Sequence, residues 1–130
     1  MSKGFTLIEL LVVVALVAVL ASIGYPTYIG HMKRVYRAQI AGLLTEQAQV
    51  LERHFSRKGT FIDAANVIEG NDRYRISVVL NPQDFTLIAT PVAGSVMATD
   101  GCAGFSLTSI GARSNPGAAP GMTSQACWGQ

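Results

Sequence analysis

The hydrophobic pattern changes character twice along this chain. From Phe5 to Gly24 almost every position is apolar, with no period, and Glu9 is the single charge inside the run. As a helix this stretch spans about 30 Å, the thickness of a bilayer's hydrocarbon core. From Val35 to Phe55 the pattern becomes helical: Tyr36, Ile40, Leu43, Leu44, Ala48, Leu51 and Phe55 share one stripe. Arg37, Thr45, Glu46, Gln49, Glu52 and Arg53 lie largely off it. Ser56-Arg57-Lys58-Gly59 is a stop signal, with basic residues in the last turn and glycine after them. Beyond the polar connection from Thr60 to Asp72 the period shortens to two. Tyr74, Ile76, Val78 and Leu80 alternate with Arg75, Ser77 and Val79, and Phe85, Leu87 and Ala89 with Thr86, Ile88 and Thr90. Asn81-Pro82-Gln83-Asp84 is a turn that sets these two strands antiparallel. Pro91 ends the second strand and Val92 to Gly101 reads as a loop. Phe105 and Leu107, extending to Ser109, mark a third strand, and Gly111 to Gly121 is Gly/Ala/Pro-rich and expected to be irregular. The fold class is α+β: a long N-terminal helix on a small antiparallel sheet of three to four strands.

Glu9 is the anomaly in the first pattern. Desolvating a carboxylate in lipid costs at least a few kcal/mol, so the residue calls for a cationic partner. Gly24-Tyr25-Pro26 follows. Proline removes a helical hydrogen bond and glycine is a weak helix former, so a kink or a locally melted turn is expected at Gly24 and Pro26. Tyr25 and Tyr28 suit a membrane interface. Lys33, Arg34 and Arg37 come next. Basic residues beside a span ordinarily mark the cytoplasmic side, with Lys3 as the side-chain charge on the other flank. Solvated surface or contacts with other chains are the roles read for these three.

Composition narrows the chemistry. A net charge of +2 in 130 residues does not argue for nucleic acid, and a mean hydropathy of +0.33 reflects mainly the first third. The two cysteines, Cys102 and Cys127, pair most simply as one disulfide in an oxidising compartment. Such a bridge contributes about 3 to 4 kcal/mol in the chain-entropy model; two buried free thiols are the alternative. No nucleophile-and-base spacing, phosphate-cradling glycine loop or metal-ligand cluster is legible, so no catalytic residue, cofactor or metal is assigned. His31 and His54 are isolated, and Asp63, Glu69, Asn71 and Asp72 lack calcium-loop spacing.

Three readings of the N-terminus compete: a conventional signal peptide cut near Val19-Leu20-Ala21, a plain anchor, and a leader cut after Gly4. Lys3-Gly4-Phe5-Thr6-Leu7-Ile8-Glu9 resembles the leader junction of type IV pilins and pseudopilins. The resemblance implies that prepilin peptidase cuts between Gly4 and Phe5 and methylates the new amine of Phe5. It also implies that Glu9 guides assembly, that the apolar helix packs against other pilin subunits, and that the Pro26 region bends in the filament. The new amine on Phe5, in the same or a neighbouring subunit, is the cation Glu9 needs.

The C-terminal half is similar to type IVa minor pilins of the PilE-like class. The residues concerned are Cys102-x-x-Phe105-x-Leu107-x-x-x-Gly111-x-Arg113, Cys127-Trp128, Glu52-Arg53-His54-Phe55 and Gly59-Thr60-Phe61. The implied organisation is a leader at 1–4, a membrane and filament-core half-helix at 5–30, and a periplasmic pilin domain at 31–130. That domain contains the amphipathic helix 31–58, the sheet 73–110 and the disulfide region 102–127. The implied partners are other subunits, the peptidase, an inner-membrane assembly platform and, before assembly, the inner membrane itself, with the pilus as the final location. A structural minor pilin is the leading function. A DNA-binding minor pilin using Arg73, Arg75 and Arg113 is the lesser alternative, and a type II secretion pseudopilin is a third, against which the cysteines argue.

Overall fold

A computed structural model describes residues 3–129. Helix α1 runs Leu7–Lys58. Four strands follow: β1 Tyr74–Leu80, β2 Phe85–Pro91, β3 Phe105–Thr108 and β4 Arg113–Ser114. They form one antiparallel meander in the order β1-β2-β3-β4. A 3-10 turn at Val96–Thr99 lies between β2 and β3, and a short helix α2, Ser124–Trp128, comes last. The chain divides into two compact units, with the boundary between Met32 and Lys33.

The described part of the first unit is almost entirely helix. Its large apolar side chains from Phe5 to Ile23 are all more than half exposed. It supplies the apolar part of a helix long and apolar enough to cross a membrane. The helix continues through Gly24, Tyr25 and Pro26, so the melted turn expected from proline chemistry is absent here. Pro26 still has no N–H to offer the preceding turn, while the Thr27 hydroxyl donates to the Ile23 carbonyl at 3.2 Å.

The second unit has a complete core. Ile40, Leu44 and Leu51 are fully buried on the stripe of α1, and Tyr36, Leu43, Ala48 and Phe55 are partly buried around them. The facing side of the sheet supplies Tyr74, Ile76, Leu87, Ala89, Phe105 and Leu107. Strand alternation thus puts every second residue on the helix, as the period of two requires. Phe55 stacks on Phe61 with ring centroids 4.6 Å apart, and Phe61 meets Phe85 edge-on at 5.0 Å. Gln47, polar and on the core side, is buried because its Oε1 accepts the Ile68 N–H at 3.1 Å. That bond ties the connection after α1 to the helix.

The connection is also stitched to β1. The Glu69 carbonyl accepts the Ile76 N–H at 2.7 Å, and Asn71 Oδ1 accepts the N–H groups of Arg73 and Tyr74, both at 2.9 Å. Gly70 sits at φ +126, where a Cβ would lie 2.1 Å from the Tyr74 carbonyl oxygen, so the position admits glycine alone. The β1–β2 turn forms as expected, with the Asn81 amide donating to the Asp84 carboxylate at 2.7 Å.

Two segments depart from expectation. Gly111 to Gly121 is not wholly irregular, because β4 pairs Arg113 and Ser114 with β3 and carries the sheet past residue 110. Val92 to Gly101 is not wholly loop, because the 3-10 turn places Met97 in the core. Both elements are too short for any hydrophobic period to announce them.

Candidate assembly and binding surfaces

The N-terminal site is built by a cap. Thr6 precedes the first helical residue, and its Oγ1 accepts the Glu9 N–H at 3.2 Å. Glu9 Oε2 in turn accepts the Thr6 backbone N–H at 2.8 Å and the Thr6 hydroxyl at 3.0 Å. This is the reciprocal capping box of a Thr-x-x-Glu sequence. It satisfies helix-end donors that lipid does not, and it places the carboxylate against the positive end of the helix dipole. The Thr-x-x-Glu spacing is the sequence signal for this cap; the charge of Glu9 alone does not disclose it. A Cβ added at Gly4 would meet nothing within 4 Å, and Phe5 is 89% exposed. The Gly4–Phe5 bond therefore lies at an open end, one residue ahead of the cap.

At the other end of the chain the disulfide joins Cys102 to Cys127, with Cα atoms 5.8 Å apart and both residues buried. Helix α2 presents Cys127. Its Thr123 cap accepts the Ala126 N–H at 3.1 Å, and Gly129 ends it in the left-handed conformation. Trp128 packs edge-on against Phe105 at 5.3 Å, and its Nε1–H reaches the Ser114 carbonyl at 3.4 Å. It is a core residue beside the bridge.

An ion pair not foreseen from the sequence fastens this region to α1. Arg37 Nε donates to Asp100 Oδ2 at 2.9 Å, and Nη2 donates to Oδ1. The Asp100 side chain is 1% exposed and that of Arg37 19%. Arg37 is thus a structural cation and not a solvated one. Its bonds to Asp100 push its pKa further up. Among the described residues the buried Tyr74 hydroxyl has no hydrogen-bond partner, and its pKa is also raised, first by burial and then by the negative charge of Asp100.

The three arginines considered for DNA are not brought together. Arg73 lies over the Tyr36 ring, its guanidinium carbon 3.6 Å from the centroid. Arg75 pairs in register with Thr90 on the sheet face away from the helix. Arg113 is on the opposite edge strand, opposite inward-facing Leu107, with its guanidinium 5.1 Å from the Trp128 ring. They occupy separate surfaces. Among the described residues no group of three or more His, Cys, Asp or Glu side chains gathers to hold a metal.

An apolar helix with a capped acid at its start, continuing into an amphipathic half that covers a four-stranded meander closed by a C-terminal disulfide, defines the type IV pilin class. Residues 1–25 match the prokaryotic N-terminal methylation motif, and residues 26–106 match the family described as type IV minor pilin ComP, DNA uptake sequence receptor. The chain belongs to this type IV minor pilin family. It is 31% identical over 110 residues to the fimbrial protein EcpC of Eikenella corrodens, covering 81% of this chain and 71% of that one. It is 35% identical over 77 residues to the type IV major pilin PilA of Myxococcus xanthus, covering 56% of this chain and 35% of PilA. Among solved structures, a type IV pilin from Shewanella oneidensis superposes with a TM-score of 0.56 at 28% identity, covering 71% of this chain and 96% of that one. The non-core minor pilin PilV of Neisseria meningitidis does so with 0.57 at 26%, covering 72% and 98%.

Proposed function

We propose that this minor pilin becomes a structural subunit of a type IV pilus after prepilin peptidase cuts between Gly4 and Phe5 and the amine of Phe5 is methylated. The observation that carries this reading is the state of Glu9. Only Oε2 is engaged by the cap, and Oε1 makes no hydrogen bond among the described residues. Cleavage creates an ammonium group on Phe5, next to Thr6. Oε1 is then free to take that cation or the one on a neighbouring subunit, neutralising the carboxylate in the membrane. In this reading the apolar helix is held in the inner membrane with the domain from residue 33 in the periplasm. It then leaves for the filament through the assembly platform. Gly24 and Pro26 give the helix compliance to bend there. Mass spectrometry of the mature chain tests the processing: a first residue of Phe5 carrying one methyl is expected, and a chain beginning at Met1 or Ser22 overturns it.

A second reading, DNA capture, is favoured by the name of the matched family. Phosphate contacts require clustered cations, and Arg73, Arg75 and Arg113 stand on separate surfaces. If these three read DNA, the Arg73/Arg75/Arg113 triple glutamine variant loses uptake while pili persist. Unchanged DNA binding by the full-length variant removes them from that role.

A further inference from the structure

Ile110 runs against the chemistry of the turn it occupies. The β3–β4 hairpin closes with the Thr108 N–H donating to the Ala112 carbonyl at 3.0 Å and the Gly111 N–H donating to the Thr108 carbonyl at 2.9 Å. Gly111 takes the left-handed conformation there, at φ +81. Small and polar residues suit the tip of such a turn. Ile110 stands at it 90% exposed, the most exposed large apolar residue of the second unit. At that exposure its side chain packs on little within its own chain.

Beside this turn lies a cleft of about 250 Å³ between α1 and the sheet. Ala48, Phe85 and Leu107 give it an apolar floor, and Ser109 and Gly111, the two neighbours of Ile110, are part of its lining. Glu52 of α1 and Arg113 of β4 line it too. Among the described residues the only ion pair within 4.0 Å is Arg37–Asp100, so Glu52 and Arg113 meet no opposite charge at that range. One patch of the second unit thus carries an apolar knob, an apolar hollow next to it, and one unpaired charge of each sign. Such a patch is complementary to a copy of itself turned about a two-fold axis.

We propose that this face pairs two copies of the chain, with Ile110 of each seated over Ala48, Phe85 and Leu107 of the other and Glu52 set against Arg113 in both directions. The charges select the occupant. A second copy answers the acid with a base and the base with an acid, whereas a partner of one sign meets repulsion at one of the two. The patch is small beside the roughly 800 Å² per partner of a stable dimer, so the pairing is weak and a covalent trap suits it. The contact lies within the folded domain and does not rest on cleavage at Gly4 or on entry into a filament.

The test uses the full-length chain in detergent with photo-reactive benzoylphenylalanine in place of Ile110, as an equal mixture of isotope-labelled and unlabelled chain. Mass spectrometry after irradiation is expected to find cross-links from one chain to residues 45–52 of the other. The same probe in place of Val79, also exposed, is expected to give none there. Glu52→Arg alone and Arg113→Glu alone should each lower the yield about fivefold, because both ion pairs of the dimer become repulsions. Mixing these two variants restores opposite signs across both contacts, and the yield should recover. Because Arg113 neighbours Trp128, a second measurement keeps both charges and puts the probe in place of Gln49, which also lines the cleft. Ile110→Ser should then lower cross-linking to residues 107–113 of the other chain about tenfold. Cross-links confined to one chain, cross-links that fall in the apolar helix, or a mixture that stays as low as either variant overturn the proposal. Irradiation in cells also overturns it if the adducts hold a different protein and no second copy, which assigns the cleft to that partner.

Discussion

The two units of this chain bury their apolar side chains in different places. Beyond Lys33, Ile40, Leu44, Leu51, Leu87 and Phe105 find their partners within the chain and reach zero exposure. Before Met32, Leu10 to Leu20 find none, and every large apolar group in that run stands open. One unit closes on itself and the other is completed by lipid or by other helices. Even the polar groups follow this division. In the second unit Gln47 and Arg37 are satisfied across long sequence separations. In the first, among the described residues, the Glu9 side chain bonds only to Thr6, three residues away, through one of its two oxygens.

Substitutions can sharpen or break that contrast. The largest effect expected is from Cys102→Ser/Cys127→Ser, which should cost the second unit about 3 to 4 kcal/mol. Urea unfolding of the full chain in detergent, followed by the fluorescence of Trp128, the sole tryptophan, measures it. Helicity of the first unit should not change, and a parallel loss there would break the comparison. Next is Arg37→Ala, which leaves the Asp100 carboxylate buried and unpaired. A cost of about 2 to 3 kcal/mol is expected, below the range for a wholly buried pair because Arg37 keeps some solvent. Replacing both residues, as Arg37→Met/Asp100→Leu, should recover most of that cost in a double-mutant cycle.

Smaller effects should come from the first unit and from Tyr74. Thr6→Val removes half of the capping box and should lower helix stability by about 1 kcal/mol, seen as faster amide exchange at residues 7–9. Glu9→Ala should remain membrane-inserted yet enter filaments poorly, counted on sheared pili; normal entry would leave Glu9 as a cap alone. Tyr74→Phe deletes a buried hydroxyl that has no partner, so at pH 7 the change should be close to neutral or slightly stabilising. The native pKa of Tyr74 is raised, so the folded state holds its proton more tightly than the unfolded chain does. Its contribution is therefore full below the ordinary tyrosine pKa of about 10 and is lost as pH climbs beyond it. Unfolding curves above that pH should fall more steeply for the native chain than for Tyr74→Phe.

Much of this is legible in local pattern. The alternation Tyr74-Ile76-Val78-Leu80 and Phe85-Leu87-Ala89 marks β1 and β2 to within a residue or two, because a half-buried strand writes its period into several positions. The stripe Ile40-Leu44-Leu51 does the same for α1. Strand β4 and helix α2 are invisible at that level because two and five residues carry no period, and their Gly/Pro surroundings resemble loop. Arg37 reads as solvated in sequence because nothing there links it to Asp100, 63 positions away. Gln47 is silent for the same reason: a polar residue on a buried stripe is recognised only when its partner, here the Ile68 amide, is known.

The Arg37–Asp100 pair also has a mechanical meaning. Asp100 is two residues from Cys102, and Cys102 is bonded to Cys127 in the last helix. Arg37 comes ahead of Ile40, Leu44 and Leu51 along α1. A pull delivered from the N-terminal end of the helix therefore reaches the ion pair before it reaches Ile40, Leu44 and Leu51, the fully buried part of the stripe. Through that pair the force passes into a covalent ring and into the sheet that Trp128 grips. The end of the domain nearest the apolar helix is thus fastened by a charged clasp backed by sulfur.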